Sequence, residues 1–334
     1  MSKKKRVTKG AMFFRTFIVI LAILAIILGV VCGIGYWYIQ DKLGKIDYDN
    51  LAADEIEVNS GIGEKLSGYR NIAIFGVDDR SDSYSGRSDC IIIVSINQET
   101  KDVKLLSVYR DTYLELTGRS LDKVTHAYAY GGAKLALSTL NTNLDLNITE
   151  YVTINFDTVK TVVDAVGGVS INLTSAEAGS DDMKAVGITT AGTHRLNGQQ
   201  ALAYARIRKI DTDYKRTERM RNVLMAVFNK VKTLSVGQLN SLADTILPHV
   251  RTNISSGEIL GLLPEVASFK IGDSIGWPYE VKGYTGAAWY AAPVTLEENV
   301  SRLHKELFNE EDYEPSENVK QISNSIINKT GYKN

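Results

Sequence analysis

Arginines with neighbouring aspartates form the chemically most informative pattern in this sequence. Ten of its fifteen arginines fall in two short stretches, 70–111 and 194–221. The first stretch also contains Asp78, Asp79, Asp89 and Asp111. An arginine side chain is always charged, and its planar fork matches phosphate oxygens two at a time. Carboxylates beside such a set suit a phosphate-bound Mg²⁺, which keeps several of its waters. The pattern therefore predicts a site for a polyphosphorylated ligand.

The candidate metal ligands are Asp78 and Asp89. They stand at the end of one apolar run, NIAIFGV (71–77), and just before the next, CIIIVSIN (90–97). If these runs are adjacent strands, both carboxylates lie at one end of the sheet, where open α/β sheets bind ligands. The alternative is that both are solvated loop acids or helix N-caps.

Three further arginines are candidates for the same site. Arg110 follows a third apolar run, 103–109, and shares the sheet end with Asp78 if the first and third strands run parallel. Arg206 and Arg208 are two residues apart, so in an extended segment their side chains face the same way.

Arg216 and Arg219 are three residues apart at the start of a predicted helix. They would share one helix face close to backbone N–H groups that favour an anion. The alternative is a solvated face with salt bridges to Asp211, Asp213 and Glu218.

Other chemistries find little support in the sequence. The four histidines form no HxxxH pattern and the two cysteines no CxxC pair, which argues against zinc. GxSxG, P-loop and dinucleotide motifs are absent. Positioning and charge stabilisation carry most of phosphoryl transfer, so that reaction needs no nucleophilic side chain.

The elements that must position these residues alternate between strands and helices. We predict strands at 151–156 and 169–173, and helices at 131–144, 156–168, 198–205 and 214–234. Asn197 and Gln200 resemble a capping box for the third of these helices. The stretch 174–194 reads as a mobile loop. This alternation predicts α/β layers around a largely buried sheet.

The N-terminus predicts a membrane anchor. Residues 16–38 contain no charge, and about 20 apolar residues span a bilayer as a helix. Six basic residues precede this run and no acidic residue does, which places the N-terminus in the cytosol. The alternative is a cleaved signal peptide. Gly29 and Gly33 form a GxxxG motif that would favour a homodimer through the membrane helix.

This topology gives the predicted organisation of the chain. It comprises a cytosolic stub (1–15), a transmembrane helix (16–38), a stalk (39–69), an extracellular catalytic domain (70–309) and a loose polar tail (310–334). Without the six basic residues of the stub, 32 basic residues face 39 acidic ones, a net charge of about −7. Such a domain is not expected to bind nucleic acid.

Seven motifs in order carry a resemblance to a known family. They are IAIFGVDDR, GRSDCIIIVSIN, SVYRDTY, HAYAYGG, VDAVGGVSI, LNGQQALAYARIR and DYKRTER, between residues 71 and 227. With them the sequence resembles the LytR–CpsA–Psr family of membrane-anchored cell-wall enzymes in Gram-positive bacteria. The resemblance implies a three-layer α/β/α sandwich around a mixed central sheet, with an apolar tunnel for a lipid tail.

The resemblance also implies an activity. It is the transfer of a phosphorylated glycopolymer, such as teichoic acid or capsule, from a polyprenyl-pyrophosphate carrier to peptidoglycan. The family's metal-holding aspartates match Asp78 and Asp89, with Mg²⁺ as the expected metal and Mn²⁺ as the alternative. Its pyrophosphate-binding arginines match Arg110, Arg206, Arg208 and Arg216. Arg110 and the two aspartates are the expected catalytic residues.

Some assignments stay open. Arg80, Arg87 and Arg219 would either bind the pyrophosphate or orient an aspartate, whereas Arg70, Arg195 and Arg221 are expected on the surface. Met220 stands where the family usually has glutamine, which puts one phosphate contact in doubt. The alternative functions are a polyprenyl-pyrophosphate hydrolase or carrier-binding protein, and a regulator of envelope genes. Direct DNA control is disfavoured because about 15 residues precede the span, too few for a helix-turn-helix.

Overall fold

The computed structural model describes residues 44, 47–77, 84, 86–255, 258–259 and 268–333. The chain divides into two units, Met1–Lys45 and Ile46–Asn334, and the second is described below. The predicted stub and transmembrane helix lie outside the described residues. In the part of the chain that the structure describes, no helix has both the length and the apolar character needed to cross a bilayer.

Seven strands of the described residues form the central sheet. They are β1 (Asp47–Tyr48), β2 (Tyr69–Val77), β3 (Ser88–Asn97), β4 (Asp102–Val108), β7 (Glu150–Asn155), β10 (Arg251–Thr252) and β11 (Lys270–Trp277). Their order across the sheet is β1-β10-β7-β2-β3-β4-β11. Within the ranges that the structure describes, three two-stranded ribbons pair β5 (Tyr113–Glu115) with β6 (Leu121–Lys123), β8 (Val169–Leu173) with β9 (Gly192–Leu196), and β12 (Val281–Thr285) with β13 (Trp289–Pro293).

The helices of the described segments vary from one turn to six. They are α1 (Ile62–Lys65), α2 (Val124–Leu144), α3 (Phe156–Ala165), α4 (Ser175–Ala178), α5 (Asp181–Ala185), α6 (Gly198–Arg206), α7 (Asp213–Val231), α8 (Val236–Ile246), α9 (Leu296–Phe308) and α10 (Glu317–Thr330). The capping box predicted at Asn197 and Gln200 is present at the start of α6. Helix α2 begins earlier than predicted and is kinked at Gly131 and Gly132, whose backbone angles are not helical.

The register of the central strands decides which loops meet. Strand β2 is antiparallel to β3, and β3 is antiparallel to β4, so β2 and β4 run parallel, which is the condition for Arg110 to share the sheet end with the end of β2. Strand β7 is parallel to β2. The ends of β2, β4 and β7 therefore lie at the same edge of the sheet as the start of β3. The predicted α/β class around a mixed central sheet is confirmed.

Helices cover both faces of this sheet. Phe75, Ile93 and Leu106 point to one face, where α2, α9 and α10 complete a large apolar core. Ile92 and Leu105 point to the other, where they pack with side chains of α7. Helices α3, α6 and α7 and the β8–β9 ribbon share a further core on that side. Burial on both faces explains why β2 and β3 read as nearly continuous apolar runs.

Three expectations about the flanking segments are wrong. Within the predicted stalk, Ile56, Ile62 and Leu66 are buried core residues. The predicted tail contains α10, whose residues Val319, Ile322 and Ile326 are buried at helical spacing. The predicted mobile loop, 174–194, contains two short helices capped by Thr174 and Ser180, and it ends within strand β9. In the predicted tail, apolar residues at helical spacing suffice to dock an otherwise polar stretch.

Candidate active site

Asp89 and Arg110 meet at the predicted sheet edge. Arg110 Nη1 donates a hydrogen bond of 2.9 Å to Asp89 Oδ1, and Arg208 Nη2 lies 3.8 Å from Asp89 Oδ2. Asp89 is 8% exposed, whereas the Arg208 side chain is 54% exposed. A buried carboxylate thus holds one arginine closely and faces a second that solvent can reach. Residues from three separate segments of the chain thus lie together at this sheet edge.

A β-bulge places Asp89. Gly76 pairs with Cys90 while Val77 pairs with Ser88, so Asp89 is the extra residue on β3. Bulges bend a strand and re-aim a side chain, and they are common beside active sites. The strands approach closely here: a Cβ on Gly76 would lie 2.9 Å from the Cβ of Cys90. Glycine at position 76 is therefore part of what lets the bulge form.

Arg110 is fixed from its other side as well. Its Nε lies 3.5 Å from Asp111 Oδ2, and Asp111 Oδ1 is 2.7 Å from Lys123 Nζ. The backbone N–H of Thr125 donates to the Arg110 carbonyl at 3.1 Å, and the Thr125 hydroxyl donates to the carbonyl of Ser88 at 3.0 Å. The start of α2 thereby joins the end of β4 to the start of β3.

Arg216 lies in the first turn of α7 and is 1% exposed. Burial raises the pKa of the Cys90 thiol to about 12, while the nearby positive charge of Arg216 acts in the opposite direction. Arg216 therefore lies close enough to β3 to act on the residue next to Asp89. The raised pKa keeps the Cys90 thiol neutral, as expected of a cysteine in apolar surroundings.

Arg206 is placed differently from Arg208. It is the last residue of α6, so the two do not share one extended segment. Its guanidinium carbon lies 5.4 Å from the centre of the Phe156 ring, in a cation–π contact. Phe156 is the first residue of α3, directly after the end of β7. Arg206 thus approaches the same sheet edge from the helical side.

An apolar cavity of about 150 Å³ opens beside these arginines. Its walls come from β2, β3 and β7 on one side and α3, α6 and α7 on the other, and include Gly76, Cys90, Phe156, Met220 and Val223. Cys90 follows Asp89 in the chain, and Phe156 carries Arg206. The charged cluster and the apolar cavity therefore meet at the sheet edge.

Met220 belongs to the cavity rather than to the polar cluster. Its side chain is buried in the wall that α7 contributes. The residue that departs from the family pattern thus adds apolar surface at this point.

Arg219 and Arg221 have structural partners. Arg219 is buried and donates to Glu177 Oε1 at 2.8 Å, and it also pairs with Asp211. Arg219 was predicted either to bind the pyrophosphate or to orient an aspartate. It contacts two carboxylates, and one of them, Glu177, lies in the segment predicted to be a loop. Arg221 was expected on the surface but is buried, and its Nε donates to Ser274 Oγ at 2.7 Å. Its partner is 53 residues away.

The remaining arginines differ in exposure. Arg70 pairs with Glu150 at the edge of β2, and Arg195 is exposed with its guanidinium on the Gly167 carbonyl. Arg87 is exposed close to the start of β3. Arg80 and Asp78 lie outside the described residues, so half of the predicted aspartate pair is placed.

In the described part of the site, a carboxylate is the ligand available to a metal ion. Asp89 supplies hard carboxylate oxygen, the ligand type that Mg²⁺ takes, next to arginines suited to phosphate. Across the described ranges, no three His, Cys, Asp or Glu side chains form a group able to hold a metal ion. A site with one or two carboxylates and substrate phosphates is the arrangement that these residues fit.

Comparison with known proteins gives closely related sequences. One is the polyisoprenyl-teichoic acid--peptidoglycan teichoic acid transferase TagT of Bacillus subtilis strain 168, 34% identical over 224 residues, which cover 64% of this chain and 70% of the relative. Another is the corresponding transferase TagU of Enterococcus faecalis strain V583, 33% identical over 252 residues, covering 72% of this chain and 80% of the relative.

A solved structure has the same fold. It is the LytR-CPS2A-psr family protein YwtF (TagT) with bound octaprenyl pyrophosphate lipid, 28% identical. The match has a TM-score of 0.57 and covers 76% of this chain and 95% of that one. The family model of LytR_cpsA_psr matches residues 34–300, most of the chain. The chain belongs to the LytR–CpsA–Psr family.

Proposed function

We propose that this protein is a membrane-anchored transferase of the cell envelope. It moves a phosphorylated glycopolymer, with teichoic acid as the first candidate, from a polyprenyl-pyrophosphate carrier to peptidoglycan. The relatives TagT and TagU are named as transferases of this kind, and the structural neighbour holds octaprenyl pyrophosphate. Anchoring by residues 16–38, with the catalytic unit outside the cell, suits a reaction whose donor and released carrier are both lipids.

One observation carries the proposal: the arginine cluster adjoins an apolar cavity, since the wall residue Cys90 follows Asp89 in the chain and the wall residue Phe156 contacts Arg206. A polyprenyl pyrophosphate has a hydrocarbon tail and an anionic pyrophosphate head, so its site needs an apolar and a basic surface side by side. The cavity wall of Cys90, Phe156 and Met220 suits the tail, while Arg110 and Arg208 at Asp89 suit the head.

The site residues have different roles in the proposed reaction. Arg110, Arg206, Arg208 and Arg216 bind the pyrophosphate and stabilise the charge that grows on it in the transition state. A sugar hydroxyl of the acceptor attacks the glycan-side phosphorus, and the bond from that phosphorus to the bridging oxygen breaks. Polyprenyl monophosphate leaves, and the glycan remains joined to peptidoglycan through a phosphodiester. Burial of Asp89 keeps Arg110 in one orientation during this step.

Mg²⁺ on Asp89 and Asp78 is part of the proposal. When bound, the metal would neutralise charge on the departing phosphate. The carboxylate of Asp89 would hold it at the sheet edge beside Arg110.

The test uses the full-length protein in detergent with a synthetic polyprenyl-pyrophosphoryl glycan, Mg²⁺ and peptidoglycan oligomers. The expected products are polyprenyl monophosphate and a glycan–peptidoglycan conjugate. Omitting Mg²⁺ with a chelator present should abolish both. Asp89→Ala should abolish both as well, while its circular dichroism spectrum stays that of the wild type.

Each other outcome contradicts a stated part of the proposal. Release of polyprenyl monophosphate without a conjugate identifies a hydrolase and overturns the transferase assignment. Binding of the donor without turnover identifies a carrier-binding protein. Full activity in the presence of chelator removes Mg²⁺ from the site, and full activity of Asp89→Ala removes that residue.

A further inference from the structure

A second cluster of polar and aromatic side chains adjoins the arginine site. It is formed by Asp122, Lys123, His126, Tyr130 and Tyr290, and is called the β6–α2 cluster below. Lys123 Nζ lies 2.7 Å from Asp111 Oδ1, and Asp111 in turn contacts Arg110 Nε at 3.5 Å. One carboxylate thus connects the two clusters. The proposed donor site leaves this neighbouring surface without a role.

The cluster contains a histidine oriented by a carboxylate. His126 Nδ1 in the first turn of α2 lies 2.9 Å from Oδ2 of Asp122, four residues earlier in β6. The two side chains are 16% and 21% exposed, so solvent and small ligands reach them. A carboxylate on one ring nitrogen fixes the tautomer and leaves the other nitrogen, Nε2, to accept a proton. Histidine–carboxylate pairs do this for hydroxyl groups in many enzymes.

An aromatic surface lies next to this pair. Tyr130 is 50% exposed, its ring centre is 5.6 Å from that of His126, and its hydroxyl donates to Asp122 Oδ2 at 3.3 Å. The guanidinium of Arg119 lies 5.3 Å from the Tyr130 ring. Lys123 Nζ lies 5.9 Å from the ring centre of Tyr290. Rings with an apolar face and a hydroxyl tip suit a sugar, which presents C–H bonds on its faces and hydroxyls at its rim.

We propose that the β6–α2 cluster is the acceptor-sugar subsite, and that His126 is the general base of the transfer. This inference rests on the proposed function. The acceptor sugar packs on Tyr130 with one hydroxyl toward His126 Nε2. As the hydroxyl oxygen forms its bond to the glycan-side phosphorus, its proton passes to Nε2, and the phosphorus–oxygen bond to the polyprenyl phosphate breaks. Asp122 stabilises the imidazolium that results.

The decisive variant is His126→Asn in the full-length protein. Asparagine keeps a donor at the position of Nδ1 for Asp122 and removes Nε2. We expect kcat of conjugate formation to fall roughly 100-fold, the loss typical of a missing general base. Retention of polyprenyl pyrophosphate should equal that of the wild type. Tyr130→Ala should instead raise KM for the peptidoglycan oligomer roughly five- to tenfold with little change in kcat.

The pH dependence separates catalysis from folding. Removing a general base should change the shape of the pH–rate profile of His126→Asn, whereas a purely structural defect lowers the rate alike at every pH. The charged and titratable groups around the pair are Asp111, Asp122, Lys123, Tyr130 and Tyr290, with Arg119 beyond Tyr130. His194→Asn is the matched control and should behave as the wild type, because His194 lies on the β8–β9 ribbon and contacts the carbonyl of Thr190.

The outcomes distinguish this inference from the proposed function. If the wild type forms no conjugate, the proposed function fails and the subsite fails with it. If the wild type forms conjugate and His126→Asn keeps the wild-type kcat and pH–rate profile, only the assignment of His126 is overturned. An unchanged acceptor KM in Tyr130→Ala overturns the aromatic part of the subsite.

Discussion

Arg110 and Asp89 form a hydrogen-bonded ion pair of 2.9 Å across the ends of two neighbouring strands. Arg110 follows β4, and Asp89 sits in the bulge at the start of β3. Since β3 and β4 are antiparallel, the end of one strand necessarily meets the start of the other. The pairing of the sheet therefore sets this contact, and the bulge sets its direction.

Arg110→Lys tests whether the shape of the guanidinium matters in addition to its charge. Lysine keeps the positive charge but loses the planar fork that contacts two oxygens at once. We expect transfer to fall about 10- to 100-fold with a small change in the free energy of unfolding. The measurement is the initial rate of polyprenyl monophosphate release. Arg302→Lys is the matched control, because Arg302 is exposed and pairs with Glu306 on α9; a rate for Arg110→Lys equal to that of this control would contradict the prediction.

The meeting of strand ends at this sheet edge could be predicted from the sequence, because it depends on residues that are close together in the chain. The runs ending at Val77 and starting at Cys90 are mostly apolar, and the short connection 98–101 makes β4 antiparallel to β3. Strand ends then converge by topology alone, which brings Asp89 and Arg110 together. The same locality made the cap at Asn197 recognisable.

Long-range partners could not be predicted in this way. The buried state of Arg219 depends on Glu177, 42 residues earlier in a segment without strong periodicity. Arg221 is buried by Ser274, on a strand that joins the sheet through the edge of β4. A charged residue on a helix gives no local sign of whether its partner is a water molecule or a distant side chain.

Arg219→Ala should destabilise the fold rather than remove a substrate contact directly. The Arg219 side chain is 3% exposed, and its loss leaves Glu177 buried without its cation. We expect the free energy of unfolding in urea to fall by about 3–5 kcal/mol. Lys215→Ala removes the exposed pair with Glu218 and should cost less than about 1 kcal/mol. Equal losses in the two variants would argue against a buried structural pair.

Ionisation of the Glu177 carboxyl makes the stability that this ion-pair network contributes depend on pH. Desolvation by itself raises its pKa, but hydrogen bonds from Thr174 and Arg219 outweigh this, and the pKa lies below the usual 4.5. A lowered pKa in the folded state contributes stability above pH 4.5 that is lost as the pH falls through the folded value. The difference in stability between wild type and Arg219→Ala should therefore narrow below pH 4.5; a constant difference would contradict this reading.

The buried imidazole of His304 should lower the free energy of unfolding at mildly acid pH. Burial lowers the pKa of this imidazole from 6.5 to about 4, although its Nε2 contact of 3.1 Å with the Leu144 carbonyl acts in the opposite direction. The unfolded chain binds the proton first, so stability is full above pH 6.5 and falls as the pH drops toward 4. The loss across this window is on the order of 3 kcal/mol.

His304→Gln keeps a donor for the Leu144 carbonyl but does not titrate. Its free energy of unfolding, measured in urea from pH 4 to 7, should lack the slope that the wild type shows between 6.5 and 4. His194→Gln changes a histidine that reaches solvent on the β8–β9 ribbon and should retain that slope. Parallel curves for wild type and His304→Gln would show that this imidazole does not carry the dependence.

Val159→Phe tests the cavity as the site of the prenyl tail. Val159 is half-buried in α3 and lines the cavity wall, so a phenyl ring there occupies part of a space of about 150 Å³. A long tail loses apolar contact at about 25 cal/mol per Å², whereas the head group keeps its arginines. We expect affinity for octaprenyl pyrophosphate to fall at least tenfold while inorganic pyrophosphate binds as before. Val159→Ile adds a single methylene and should change neither affinity by more than about threefold. Equal weakening of both ligands by the phenyl ring would place the tail elsewhere, since a blocked cavity cannot affect a ligand that has no tail.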